Sequence, residues 1–350
     1  MADLAKMIRA SGGEPTVFAL DDAERESATA MLAPTPLICA KIAGPAQVGF
    51  APGQLRQLLD ARLDLLHLHG IWMHPSRVGA QWARATGSPY LISTHGMLEP
   101  WARTRGRWKK AIARVCYEHA SWARATAFHA LTDNEAEDIA RETHRIETIV
   151  IPNAGPACGP VPKTGRLPEV LYLGRIHPKK NLVGLVEGWR LAHRPKGARL
   201  NIAGWGEASD LAEFRRMLAA AGESSIDFLG PIFGEAKQRL LESSRFLILP
   251  TFSEGLPVVV LEAWAASTPS LMSAACNLPE GFAANAALNC GTTPHEIACA
   301  LEKCFSFDET AWLGMAAAAR ALAAGPFSDE TVAHRWENAY FALLTGEPFK

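Results

Sequence analysis

The chain has 350 residues, 48% of them hydrophobic, and a formal net charge of -1. That length fits two domains with a core each, and the near-zero charge excludes the broad basic surface that nucleic acid demands. Seven cysteines (39, 116, 158, 276, 290, 299 and 304) lack Cys-x-x-Cys spacing, which excludes a zinc ribbon or disulfide framework and fits a reducing cytosol.

No apolar run reaches the ~18 residues of a membrane span. The amino terminus carries Asp3 and no apolar h-region, so it does not read as a signal peptide. Residues 2–10 read as a helix stopped by Gly12 and Gly13. Short apolar runs follow at 16–20, 63–69, 90–93, 126–130 and 148–151, each of a buried parallel strand's length. Helix-like stretches at 53–61, 76–85 and 134–142 lie between them. Eight Pro and Gly residues crowd into 152–168 and mark a linker. The alternation then resumes, with strands at 170–173, 200–203, 226–229 and 246–249 and helices at 181–192, 208–220 and 235–243. This predicts two doubly wound, Rossmann-like α/β domains. Residues 1–155 form the first and 156–328 the second, with a ligand cleft between them. A terminal helix at 329–344 carries Val332, Trp336, Tyr340 and Leu343 at packing intervals.

Residues 250–264 read P-T-F-S-E-G-L-P-V-V-V-L-E-A-W. A strand ends at Pro250, a polar turn follows, and a helix starts near Pro257, a position that tolerates proline. Glu262 is the one polar residue in an apolar helix start, so its carboxylate needs donors, which vicinal ribose hydroxyls supply. Glu254 precedes the helix, where it can meet sugar hydroxyls, and the helix start favours phosphate. The plainer alternative has Glu254 supporting the helix and Glu262 paired with a core Arg. Residues 170–182 read V-L-Y-L-G-R-I-H-P-K-K-N-L. Arg175, Lys179 and Lys180 cluster at a strand's carboxyl end, where open α/β sheets bind ligands. Arg offers a fork for phosphate and Lys a point charge; a solvated basic turn is the alternative, and His177 either approaches phosphate or lies on the surface. His67 and His69 share one face of a strand; without a third ligand, packing or acceptor contact outweighs metal. Residues 101–114 hold six basic residues, no acid, and Trp101 and Trp108, a pattern that suits anionic lipid headgroups or a lipid-diphosphate acceptor, or else a solvated helix face.

The two carboxyl-half segments resemble the large retaining family of GT-B-fold glycosyltransferases, family four. Its Glu-x7-Glu pair is similar to Glu254 and Glu262, and its G-R-x4-K to Gly174, Arg175 and Lys180. I-P-N-A-G at 151–155 is similar to its P-N-G turn and I-A-G-W-G at 202–206 to its G-x-G turn. S-T-H-G-M-L-E-P-W-A at 93–102 looks like a subgroup's strand-end segment.

The resemblance implies a GT-B fold and a metal-independent, cofactor-free transfer of a hexose from a nucleotide-diphosphate sugar to a glycan or lipid-linked acceptor, with retention. Arg175 and Lys180 would grip the diphosphate, Glu262 the ribose, and Glu254 and His95 the sugar. Gly174, Gly96, Asn153, Gly204, Gly206, Gly255, Leu256, Pro257 and Val258 would line the donor site. No nucleophile is implied. It further implies surface-polysaccharide synthesis (exopolysaccharide or lipopolysaccharide), a cytoplasmic location, contact of 101–114 with the inner membrane face, no nucleic-acid partner, and residues 329–350 returning to the first domain. Relatives open with a strand and glycine loop that are not seen ahead of residue 2, so the first domain is expected to lack its first strand, leaving neighbours unpaired. A donor-binding but inactive remnant in a polysaccharide assembly complex, or a GT-B sugar-nucleotide epimerase, are the competing readings.

Overall fold

The computed structural model describes residues 1–23, 25–100 and 106–348. In chain order its first half holds α1 (Ala2–Ala10), β1 (Val17–Leu20), α2 (Arg25–Leu32), β2 (Leu37–Ala40), α3 (Gln54–Asp60), β3 (Leu66–His69), α4 (His74–Thr86), β4 (Tyr90–Ser93) and α5 (Arg107–Ala113). A π turn (Arg114–Glu118), α6 (His119–Arg124), β5 (Ala127–Ala130), α7 (Asp133–Thr143) and β6 (Thr148–Val150) complete it. The second half holds β7 (Glu169–Leu173), a 3-10 turn (Pro178–Lys180), α8 (Leu182–Leu191), β8 (Arg199–Ala203), α9 (Ala208–Ala221), β9 (Ile226–Gly230), α10 (Gly234–Ser243) and β10 (Phe246–Leu249). After it come α11 (Val258–Ala265), β11 (Ser270–Met272), a 3-10 turn (Ala274–Cys276), α12 (Pro279–Ala283), β12 (Ala287–Asn289), α13 (Pro294–Ser306), α14 (Glu309–Ala324) and α15 (Asp329–Thr345).

The chain divides into two compact units, one of Met1–Pro152 with Val332–Lys350 and one of Asn153–Thr331. The first break falls at 152 rather than 155 because 153–155 is bonded to the second unit. Gly155 N–H donates to Phe327 O at 2.8 Å, and a Cβ on Gly155 would lie 3.2 Å from Leu261.

Every ladder is parallel. In the second unit the order is β12-β11-β10-β7-β8-β9. The chain steps outward from β7 to β9, then returns to the other side of β7 and steps outward again. The reversal lies between β7 and β10, and the crevice at their carboxyl ends is where such sheets hold ligands. Leu171, Ile202, Leu247 and Ile248 in the strands and Trp189 and Trp264 on the flanking helices are fully buried. Two-sided burial is why these strands read as unbroken apolar runs.

The first unit has two sheets, β1-β2 and β3-β4-β5-β6. Among the described residues no strand precedes α1, and β1 and β3 are not hydrogen-bonded to each other. Phe18 and Leu66 nevertheless pack on one cluster, Leu58, Val78 and Trp82. A cavity of about 1420 Å³ opens along both edges, lined among others by Ile8, Phe18, Leu68, Trp336 and Tyr340. A second cluster, including Ile71, Tyr90, Ile92, Trp122, Phe128 and Ile139, forms this unit's main core. The α15 side chains Trp336 and Tyr340 reach it through the β-sheet histidines: Trp336 lies 4.5 Å from the His129 ring and Tyr340 O–H 2.9 Å from His67 Nδ1. No helix among the described residues is long and apolar enough to cross a membrane.

Candidate functional site

Strand β7 ends in Gly174, and the chain turns through Arg175 to the Pro178–Lys180 turn before α8. The buried Tyr172 hydroxyl donates to Arg175 O at 2.8 Å, fixing the turn's backbone while the Arg175 side chain stays exposed. Burial pushes the Tyr172 hydroxyl pKa upward, with the Glu254 charge adding to it, so it remains a donor. His177 does not face outward as a free ring: its Nδ1 accepts from Lys179 N–H at 3.1 Å and caps the 3-10 turn. Asn181 then takes the left-handed conformation (φ 58°), and its amide donates to Pro250 O (3.0 Å) and Thr292 O (2.7 Å). One side chain thus ties the β7 loop to the loops after β10 and β12.

The β10 loop meets the β7 loop at the crevice. Phe252 N–H donates to Lys179 O at 2.9 Å, and the Thr251 hydroxyl to the same oxygen at 3.0 Å. On its far side Glu254 N–H donates to Ala275 O (3.0 Å), and Asn277 Nδ2 donates to Glu254 O (2.6 Å) and Gly255 O (3.3 Å). Between these clamps Lys180 Nζ forms an ion pair with the Glu254 carboxylate, side chains 17% and 12% exposed. Lys180 and Glu254, 74 residues apart, are therefore paired at the reversal point of the sheet, and Arg175 lies in the same β7 loop as Lys180. Helix α11 follows with Pro257 at its N-cap, not at its first helical position, because Pro257 has extended backbone (ψ 103°). Val258 is 40% exposed, so the helix start is not apolar against apolar all round as the sequence suggested. Leu256 is buried. Glu262 is half-buried and pairs with Lys237 of α10 at 2.6 Å, the cation expected there being Lys rather than Arg.

The loop after β8 lies against the β7 loop. Ile176 N–H donates to Trp205 O at 2.7 Å and Gly174 N–H to Ala203 O at 3.1 Å. Gly204 and Gly206 are there because nothing larger fits, since a Cβ would stand 2.0 Å from Gly174 O and 2.4 Å from Ile176 O respectively. Asn153 opens the second unit and is half-buried.

His95 and Gly96 belong to the first unit, in the turn after β4. Both have positive φ, 50° and 72°, which a side-chain-bearing residue adopts only when held. Glu135 holds them. It is buried, and its Oε1 accepts from Thr94 Oγ1 (2.5 Å) and Gly96 N–H (2.6 Å), while Oε2 accepts from Leu131 N–H (2.8 Å). The sequence reading did not single out Glu135. Its position three residues after Thr132, whose hydroxyl caps α7 by accepting from Glu135 N–H at 3.2 Å, suggests an ordinary capping box. The side chain turns to β4 instead. Lys237 and Tyr172 were missed too, and no local signal marks either. His67 and His69 stand with His95 and His129 at the ends of β3 to β5, and all four pKa values are lowered, chiefly by burial. Uncharged imidazoles of this kind can accept or donate to hydroxyls.

Of the basic stretch, 101–105 lies outside the described residues. In α5 and the π turn, Trp108, Ile112 and Val115 are 67%, 52% and 76% exposed at helical intervals, with Arg107 and Lys109 also exposed.

Two parallel α/β units, the second doubly wound with the Lys180–Glu254 pair at its reversal point, define a protein of the double-Rossmann class. Residues 1–154 match the glycosyl transferase 4-like domain, and residues 167–306 match glycosyl transferases group 1. The O-antigen chain mannosyltransferase B of Escherichia coli is 28% identical over 135 residues, 37% of this chain and 35% of that protein. The D-inositol 3-phosphate glycosyltransferase of Streptomyces avermitilis is 28% identical over 246 residues, 63% of this chain and 52% of that protein. The chain thus spans about a third to a half of these relatives' own lengths. Among solved structures, Anabaena Alr3699/HepE in complex with UDP and glucose superposes with a TM-score of 0.76 at 16% identity, covering 97% of this chain and 94% of that one. The chain belongs to the GT-B-fold glycosyltransferases.

Proposed function

We propose that this chain transfers a hexose from a nucleotide-diphosphate sugar to a glycan or lipid-linked acceptor, with retention and without metal or other cofactor. The observation that carries the reading is the Lys180–Glu254 ion pair at the β7/β10 reversal point, with the exposed Arg175 in the same β7 loop. Cleaving the bond from the sugar's C1 to the diphosphate puts negative charge on the departing oxygen. Arg175 and Lys180 meet that charge as it grows, which lowers the barrier more than it strengthens substrate binding. Glu254 positions Lys180 and offers its remaining oxygen to sugar hydroxyls, and Glu262 takes the ribose hydroxyls. Gly255, Leu256, Pro257 and Val258 bring the α11 start to the phosphates. The acceptor hydroxyl attacks C1 on the face the diphosphate leaves, and its proton passes to a phosphate oxygen, so no protein nucleophile is needed. His95 contacts the sugar.

The similarity to an O-antigen chain mannosyltransferase supports a surface-glycan acceptor. The exposed Trp108, Ile112 and Val115, flanked by cations, support peripheral contact with an anionic inner-membrane face.

The test is a thermal-shift and donor-turnover screen against uridine, guanosine and adenosine diphosphate sugars in excess chelator, with Arg175→Ala and Glu262→Ala alongside. Stabilisation by one donor, abolished by both substitutions, with the anomeric configuration kept in the product, is expected. Well-folded protein that binds no nucleotide sinks the assignment; loss of turnover on chelation sinks metal independence alone.

A further inference from the structure

His95 is anchored twice. Glu135 holds its backbone from α7, and a second residue holds its ring. His69 Nδ1 and His95 Nε2 lie 2.9 Å apart, and the two rings run nearly parallel, 15° between planes. His69 has a rigid backing. Its ring lies tilted with its centre 4.1 Å from that of His67, which bonds the Tyr340 hydroxyl (2.9 Å) and Ser93 Oγ (2.6 Å); Ser93 in turn reaches His129 Nδ1 at 2.7 Å, and His129 Nε2 donates to Ile151 O at 2.8 Å.

A hydrogen bond between two neutral imidazoles needs one N–H at the junction, and a free imidazole prefers its proton on Nε2. Placing Nε2–H on both rings satisfies both conditions. His95 Nε2–H then donates to His69 Nδ1, and His95 is left with a bare Nδ1. The charges around the pair are Glu135, which favours protonation of His95, and the Met1 ammonium, which opposes it. Burial, the largest effect, lowers both histidines, and His95 further opposes charging of His69.

We propose that His69 is a positioning residue: it locks His95 in the Nε2–H tautomer, so that His95 Nδ1 accepts a hydrogen bond from a hydroxyl of the bound sugar. The proposal rests on the reading that His95 faces the sugar. It differs from a packing role, which needs shape but no particular proton.

Long-range proton–nitrogen spectra of the protein labelled with ¹⁵N-histidine read tautomers directly, without substrate. Wild-type His95 is expected as a single Nε2–H tautomer. His69→Ala releases it into a mixture and moves its titration up toward an ordinary histidine's. His69→Asn, whose Oδ1 sits where Nδ1 was and accepts the same proton, keeps the single tautomer. In donor turnover, His69→Ala lowers kcat about tenfold with little change in donor KM, and His69→Asn restores most of it. A wild-type His95 protonated at Nδ1 overturns the proposal, as does an Asn variant no better than Ala. Turnover by wild-type and His69→Ala alike overturns it and leaves the transferase reading standing. A wild-type that turns over no donor removes the sugar role together with that reading, whatever the spectra give.

Discussion

A methyl group on Gly204 would collide with Gly174 O, and the turn carrying Arg175 would have to move. Gly204→Ala is therefore expected to cost about 1–3 kcal/mol, the range of an overpacked core, and to lower donor turnover because Arg175 is displaced. Thermal melts and initial rates on one preparation check both. The two cations of the β7 loop separate by the same logic. Arg175 is exposed, so Arg175→Ala should leave the melting temperature unchanged while cutting kcat about 10²–10³-fold, as losing a donor to a developing anion does. Lys180 is half-buried against Glu254, so Lys180→Ala strands a carboxylate and should cost about 1–3 kcal/mol as well as rate. Equal stability losses from the two substitutions would contradict this assignment of roles. What was legible in sequence at this scale was the pair of loop segments, because Gly174, Arg175, Lys180, Glu254 and Glu262 sit in short stretches whose strand–turn–helix pattern is local. The long-range contacts that hold the turns and Glu262 were not legible. Lys237, Glu135 and Asn181 act across separations of 25, 41 and 111 residues, which no local spacing encodes.

The elements that carry these side chains were read where the apolar run was long enough. Tyr90–Ser93 and Phe246–Leu249 were placed to the residue, and the others within a few residues at their ends. Strands β2, β11 and β12 were not picked out. Leu37–Ala40 sits among prolines, Ser270–Met272 is three residues with a buried serine, and Ala287–Asn289 is an edge with Asn289 exposed, so none shows a periodic signal. The split first-unit sheet makes its own prediction. Leu66 N–H donates to Pro89 O and Gly70 N–H to Ser93 O, so the pleat turns the amides of His67 and His69 away from β4 toward the cavity. Val17 N–H donates to Pro36 O and Asp21 N–H to Ala40 O, which turns those of Phe18 and Leu20 the same way. These four amides should exchange with deuterium far faster than those of Leu91, Ile92 and Phe128 in the sheet interior. Equal protection would mean that the two edges are bonded to each other or to something else in solution.

For the molecule as a whole, pH dependence exposes a tension built into the first unit. Glu118, fully buried in the π turn, accepts from Trp72 N–H at 2.6 Å and Ser76 Oγ at 2.9 Å. Trp72 lies just beyond β3 with φ 76°, a strained value for so large a residue, so Glu118 holds the turn that follows His69. Burial raises the Glu118 carboxyl pKa to about 7, against the pull of those hydrogen bonds. The folded form then keeps its proton across a range in which the unfolded chain has released it. Stability from this group is full at low pH and is lost as pH rises from the ordinary carboxyl range to about 7. A span of about two to three pH units corresponds to roughly 3–4 kcal/mol. The histidines act oppositely. His129 is lowered by burial to about 4, and His67 and His69 are lowered too, so the unfolded chain takes up protons first and stability falls as pH drops below the ordinary histidine range. Glu118→Gln keeps an acceptor for Trp72 and Ser76 and removes only the titration. Its stability gain over wild-type should grow from about zero near pH 4 and level off above pH 7, measured by denaturant melts across that range. A difference independent of pH would mean that burial leaves the Glu118 carboxyl with the same pKa folded and unfolded, and would overturn the assignment.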